Sequence, residues 1–294
     1  MHIVRYTTGD GGPPRVGLAQ RLPGEVRELD GFATVGELLR LRLPEIQERC
    51  ASAAGPAAGT VRLLPPVDGR MEVWAAGVTY RRSREARVAE SERAASVYEL
   101  VYDADRPELF FKSAAWRVTG DGGQVSVRAD SSVNVPEPEL ALVLNRHGEI
   151  VGYTVCNDMS SRSIEGENPL YLPQAKIYLG ACAVGPAIRP AWEVPDPYAL
   201  EITLTIRREG GVVWDGRSAT SELHRKLDEL AGYLFREDVF PDGAVLATGT
   251  SLVPELPFTL LPGDEITIAI GEVGTLVSTV VRGKAGMGPL AADL

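Results

Sequence analysis

The stretch PEPELALVLNRHGEIVGYTVCND, residues 136–158, decides how this chain is read. Two runs of alternating apolar residues flank His147 and Gly148, and glycine there supplies the positive φ that a two-residue hairpin turn requires. Such a turn places Glu137 opposite Asp158 and Glu139 opposite Cys156. Side chains alternate faces along a strand, so Glu137, Glu139, Cys156 and Asp158 project to one side. The other side carries Leu140, Leu142, Leu144, Tyr153 and Val155, an apolar face for a core. Three carboxylates then converge at the open end of the hairpin, where they repel one another unless a cation or a proton lies among them. Oxygen donors without histidine suit Mg²⁺, Mn²⁺ or Ca²⁺ better than zinc. Spacing alone leaves a second reading open, a solvated acidic strand edge. A three-residue loop over 146–148 would shift the register and weaken the cluster. Cys156 is expected to be a small packing residue.

Outward from the hairpin, the same alternation appears in MEVWAAGVTY (71–80), QVSVRA (124–129), AKIYLGACAVG (175–185), LEITLTIRREG (200–210), GVVWDG (211–216), DEITIAIG (264–271) and TLVSTVVRG (275–283). Gly, Pro and Asp/Asn signals separate these runs at intervals of about a dozen residues, which predicts a β-rich α+β fold built on a sandwich or roll. Helices are expected over 83–104, with Glu and Arg interspersed on its surface, and over 220–237. Residues 1–65 read as a small N-terminal domain: a strand at 2–8, a helix at 35–52 interrupted by Pro44, and a small-residue linker that runs on to Gly69. Residues 66–294 form the larger body.

Composition narrows the function. The chain has 294 residues, with 30 Lys+Arg against 40 Asp+Glu and a formal charge of -10. A net negative chain without a basic run is a poor partner for nucleic acid or an anionic membrane surface. No apolar stretch approaches the roughly 18 residues of a membrane span, and MHIVRYTTGD lacks the order of a secretory signal. Three cysteines, Cys50, Cys156 and Cys182, are an odd number without zinc-type spacing, which fits reduced thiols and a cytoplasmic setting.

The sequence resembles the fumarylacetoacetate hydrolase superfamily over about three quarters of its length, from Gly77 onwards. The motifs that carry the likeness are Glu137-Pro138-Glu139, GYTVCNDMSSR (152–162), Lys176, Gly185-Pro186, TGT (248–250) and LPGDEI (261–266). The resemblance implies a mixed β-sandwich roll, a Mg²⁺ site at Glu137, Glu139 and Asp158 in which Mn²⁺ or Ca²⁺ could substitute, and a homodimer or homotetramer. Hydrolases of the superfamily carry a G-x-N-Y-x-x-H-x-x-E element whose His and Glu activate water. Here GVTYRRSREA places Thr79 at the Asn and Ser83 at the His position. The stretches GVTYRRSREAR, RPELFFK (106–112) and SIEGENPLYLPQAKIY (163–178) instead resemble the branch that dehydrates 2-keto-3-deoxy sugar acids. That likeness implies conversion of a 2-keto-3-deoxypentonate to 2-oxoglutarate semialdehyde, with Glu108 and Lys176 as acid/base candidates.

The chemistry is coherent with those residue types. A metal-polarised C2 carbonyl acidifies the C3 protons, and the C4 hydroxyl needs a proton to leave as water. A carboxylate and an ammonium can serve both needs when their pKa values are tuned. Lys112 is a candidate for the substrate carboxylate, or else a surface lysine at a strand end. Thr250, Thr79 and Arg84 are further candidates for substrate binding, with turn chemistry and a solvated helix as the bland alternatives. His2, His147 and His224 fall at an end, in a turn and on a helix, none placed like a catalytic base. Two competing functions stand beside the dehydratase. One is a carbon–carbon hydrolase of an acylpyruvate or diketo acid, which the Ser83 position disfavours; the other is a non-catalytic metal-binding β module.

Overall fold

The alternation becomes three sheets in the structure, a computed structural model that describes residues 1–9, 12–82 and 100–288. The large sheet runs in the order β3 (Val26–Glu28), β2 (Arg15–Ala19), β1 (His2–Thr8), β12 (Cys182–Pro190), β10 (Ile150–Asp158), β9 (Pro138–Leu144), β15 (Ala244–Ala247), β5 (Glu72–Gly77) and β6 (Glu108–Ala114). One further strand, β4 (Val61–Leu64), also pairs with β1. A second sheet runs β14 (Gly211–Ala219), β13 (Glu201–Arg208), β16 (Glu265–Ile270), β17 (Gly274–Arg282) and β7 (Gly123–Val127), and a short pair joins β8 (Asn134–Val135) to β11 (Ser160–Ser161). Pairing is antiparallel except for β15 with β5 and β17 with β7. This is a strand-rich mixed fold, as expected.

The β9–β10 hairpin lies between two cores. Leu140, Leu142, Leu144, Tyr153 and Val155 pack with Ile202, Leu204, Ile266 and Ile268 of the second sheet. Its other face packs Ala141, Val143 and Cys156 with Ile3, Val16, Leu38, Leu39 and Ile46. Residues 1–65 therefore roof the second face, and Ile3 pairs with Ile188 to make their strands continuous with the large sheet. Every residue of β9 is buried, which simple alternation does not announce. The helical stretch at 35–52 divides as Pro44 suggested, into Val35–Leu38 and Leu43–Ser52.

Three local expectations need correction. The hairpin loop spans three residues, not two: Asn145 N–H donates to Glu149 O, and Gly148, at φ +76°, donates to Asn145 O. Ile150 accordingly pairs with Leu144, but a bulge between Ile150 and Gly152 absorbs the offset. From Gly152 opposite Val143 to Asn157 opposite Pro138, the register is the expected one. Two irregularities cancel. The run 175–185 is not one strand, because Leu172–Lys176 is a helix with Pro173 in its first turn and Gly180 at φ +79° precedes β12. The helix expected over 220–237 is confined to Leu227–Leu234. Leu223 instead bridges to Tyr80 and His224 N–H bonds Thr79 O, so this backbone is committed to another segment. Ser83, Arg84 and most of the helix expected over 83–104 lie outside the described residues.

Candidate functional site

The order β10–β9–β15–β5–β6 and the strand directions bring five element ends to one edge of the large sheet. These are the end of β10 at Asp158, the start of β9 at Glu137 and Glu139, the loop after β15 at Gly249 and Thr250, the end of β5 at Gly77, and the start of β6 at Glu108. They line one cleft together with Val78, Phe110, Glu165, Leu172 and Lys176. The sheet thus gathers residues from Ala76 to Thr250, and the helices at 162–167 and 172–176 add Glu165, Leu172 and Lys176.

Glu137, Glu139 and Asp158 are all buried, and one ligand atom from each lies within 4.8 Å of the others. The register restored by the bulge puts Glu139 opposite Cys156, and Asp158 N–H donates to Glu137 O at 3.0 Å. Burial first, then the neighbouring Asp158 and Glu137 charges, pushes the Glu139 carboxyl well above the usual carboxylate range. Three cations answer the three carboxylates. Lys176 Nζ donates to Glu137 Oε2 at 2.8 Å, Asp158 Oδ2 at 2.7 Å and Ser160 Oγ at 2.6 Å. Arg162 donates to Glu137 Oε1 at 2.8 Å. Lys112 forms an ion pair with Asp158 Oδ1 and donates to the carbonyls of Met159 at 3.0 Å and Lys176 at 2.6 Å. Gly249 N–H donates to Glu139 Oε2 at 2.7 Å. Three hard oxygen donors, buried and converging from two adjacent strands, fit a Mg²⁺-class ion. A solvated acidic edge is excluded by their burial.

Glu108 approaches the cleft because Gly77, its partner across β5 and β6, has no side chain; a Cβ there would stand 2.0 Å from Glu108 Oε2. Lys176, the last residue of its helix, also lines the cleft, its Nζ 5.7 Å from the centroid of the Phe110 ring. Lys112 is no surface lysine. It is 1% exposed and lies behind Asp158, off the cleft lining. Thr250 does line the cleft, where its hydroxyl donates to Leu252 O and accepts from Leu252 N–H, both at 3.1 Å. Thr79 is buried and donates to Thr248 O at 2.6 Å, supporting the loop that delivers Gly249. Cys156 packs in the core as expected, its thiol raised chiefly by its contact with the Cys182 thiol. His2, at the far end of the sheet, has its pKa lowered to about 4, first by burial and then by Arg189.

Sequence reasoning missed Arg162, Ser160 and Glu165. A usable signal existed for Arg162, since three buried carboxylates demand cations and an arginine follows Asp158 by only four residues. Glu165 sits inside the 163–178 motif, with nothing in its spacing to mark it as inward-facing.

The fold and the carboxylate cluster define a class, and the chain belongs to it: residues 72–281 match the fumarylacetoacetate hydrolase C-terminal family. It is 54% identical over 215 residues to a "probable 2-keto-3-deoxyxylonate dehydratase" of Haloferax volcanii, covering 73% of each protein. It is 46% identical over 226 residues to the 2-dehydro-3-deoxy-D-arabinonate dehydratase of Saccharolobus solfataricus, covering 76% of this chain and 75% of that one. Among solved structures, a 2-keto-3-deoxy-D-arabinonate dehydratase complexed with magnesium and 2,5-dioxopentanoate aligns with TM-score 0.83 and 36% identity, over 96% of this chain and 99% of that one.

Proposed function

We propose that this protein is a divalent-metal-dependent dehydratase that converts a 2-keto-3-deoxypentonate to 2-oxoglutarate semialdehyde. The observation that carries this reading is the joining, in one cleft, of a buried three-carboxylate cluster with Glu108 and Lys176. Glu137, Glu139 and Asp158 would hold the ion, with Mg²⁺ the first choice. Bound there, it would supply Lewis acidity to the 2-keto acid carbonyl. Lys112, whose donors go to Asp158 and two carbonyls, holds Asp158 in place, as Arg162 does Glu137. Gly249 N–H orients Glu139. Glu108 and Lys176 share the removal of the C3 proton and the protonation of the departing C4 hydroxyl, after which loss of a C5 proton and reprotonation at carbon complete the semialdehyde. Thr250, on the cleft wall, would exchange its bond to Leu252 O for one to the keto acid, and Thr79 acts through the 248–250 loop.

Carbon–carbon hydrolysis is the second reading. It needs a water-activating histidine where this chain has Ser83. The similarity to dehydratases of deoxy keto acids supports the first reading over it. A homodimer or homotetramer in the cytoplasm completes the proposal, supported by family habit and by Cys50, Cys156 and Cys182 being free and buried. Residues 1–65 are read as a small domain that roofs the sheet. The test is incubation of the protein and Mg²⁺ with a 2-keto-3-deoxypentonate, an acylpyruvate and oxaloacetate. A five-carbon semialdehyde from the first alone is expected, with deuterium at reprotonated carbons in D₂O. Pyruvate as the principal product from the sugar acid would defeat the dehydratase.

A further inference from the structure

Lys176 sits on a helix of only five residues, Leu172–Lys176. Helices shorter than about 12–15 residues do not hold their own shape in water. The backbone around Lys176 must therefore be fixed from outside if its ammonium is to keep three acceptors at 2.6 to 2.8 Å. Carbonyls in the last turn of a helix look outward for donors, and cations from two sheets supply them here. Lys112, on β6 of the large sheet, donates to Lys176 O at 2.6 Å. Arg128, directly after β7 of the second sheet, donates from Nη1 to Gln174 O at 3.0 Å.

Arg128 is the less obvious of the two, because its side chain is 20% exposed and pairs with Asp130, itself 65% exposed. A surface ion pair of that kind adds little to stability. Its geometry is nevertheless specific. Nε and Nη2 reach the two oxygens of Asp130 at 2.8 and 2.6 Å, which turns the third nitrogen onto Gln174 O. The same guanidinium lies over the Tyr178 ring, 5.6 Å from its centroid. One planar group thus grips the chain on both sides of Lys176. Ser126 of β7 continues the grip, its N–H donating to Gly180 O at 2.9 Å and its hydroxyl to Leu179 O at 2.6 Å.

We infer that Arg128 is a positioning residue, which fixes from the second sheet the turn that presents the Lys176 ammonium to the cleft. This deepens the dehydratase reading and rests on Lys176 as an acid/base group. With Mg²⁺ and a 2-keto-3-deoxypentonate, Arg128→Ala should lower kcat by about ten- to hundredfold while KM and Mn²⁺ affinity stay unchanged, since a misplaced group loses alignment and not binding. Arg128→Lys keeps the charge and the stem but cannot span Asp130 and Gln174 together, so it should restore only part of the rate, and it serves where the alanine variant folds poorly. In Lys176→Met protein, Arg128→Ala should cost almost nothing further, because both changes act on one group. Wild-type kcat in either Arg128 variant, or the same fold-loss with and without Lys176, overturns the inference. If the wild-type protein dehydrates no 2-keto-3-deoxypentonate, the dehydratase reading falls by itself. The rate at which acetic anhydride acetylates Lys176, followed by peptide mass spectrometry, then decides the role of Arg128 without turnover. That rate should rise in Arg128→Ala, where the amine is held less firmly in its buried site, and an unchanged rate overturns the inference.

Discussion

Asp242 and Asp158 are each nearly inaccessible carboxylates met by two cations, yet they do different work. Asp242 accepts from Arg40 Nε at 2.9 Å and from Arg70 Nε and NH2 at 3.1 and 3.0 Å. Those arginine side chains are 46% and 66% exposed, so they keep most of their water while pinning the segment around residue 40 to the main body. Asp158 is held by Lys112 and Lys176, whose side chains are at most 2% exposed, beside two further carboxylates. Withdrawing such ions from water costs several kcal/mol each, and well-packed apolar residues stabilise a core at least as well. The difference teaches where to look for function. The half-wet pair at Asp242 suffices to fix a fold, whereas the dry set at Asp158 is explained by what it can bind and move.

The largest effect is expected in the cleft beside the dry set. Glu108→Gln and Lys176→Met should each lower turnover by about a hundred- to ten-thousand-fold, as positioned acid/base groups do. Lys176→Arg should fail as well, since guanidinium keeps its proton and has the wrong shape for three converging acceptors. Losses below tenfold for both Glu108 and Lys176 would remove them from the mechanism.

Lys112→Met breaks the dry set itself and leaves Asp158 Oδ1 buried without its ammonium. Thermal or urea unfolding should show a loss of about 3–5 kcal/mol, against about 1–2 kcal/mol for Asp242→Asn. Equal losses at the two sites would erase the distinction drawn between them.

Gly77→Ala is a finer probe. The new Cβ would stand 2.0 Å from Glu108 Oε2, the end of a flexible side chain, so the fold should persist while the carboxylate is displaced. Turnover should fall about ten- to hundredfold with Tm and Mn²⁺ affinity unchanged, because a misplaced catalytic group loses its alignment. An unaltered rate would show that the position of Glu108 against Gly77 does not matter.

The mildest effect belongs to the wet pair and depends on pH. Hydrogen bonds from Arg70 first, then from Arg40, hold the Asp242 carboxyl well below the usual range. A depressed folded-state pKa stabilises above the unfolded value of about 4, and that contribution is lost as pH falls through and below it. The stability gap between the wild-type protein and Asp242→Asn should therefore be full at about pH 7 and narrow below about pH 4. A gap that widens in acid would refute the linkage.

These contrasts also mark what the sequence could disclose. The carboxylate hairpin is legible because period two assigns faces within each strand, and because the bulge near Gly152 undoes the extra loop residue that would have shifted one strand against the other. Had the bulge been absent, the same reading would have placed Asp158 on the wrong face. Of the two readings of Lys112, the surface lysine fails: a strand end is normally wet, and nothing local says that Met159 and the Lys176 helix close over it. Lys176 was expected on a strand; Pro173 in a helical first turn decides otherwise only once the 162–176 segment is packed. The burial of β9 on both faces depends on residues 1–65 folding back across the sheet, a contact between distant segments. The Arg40–Asp242 pair is of the same kind.

The central claim, that Glu137, Glu139 and Asp158 form one divalent-metal site, is tested most directly by counting Mn²⁺ bound to chelator-stripped protein by electron paramagnetic resonance. One tight Mn²⁺ per chain is expected for the wild-type protein. Most of that affinity should be lost in Glu139→Gln, whose amide oxygen can still accept the Gly249 N–H, so that Tm is kept. A single tight ion undiminished in Glu139→Gln, or no tight ion in the wild-type protein, would contradict the account.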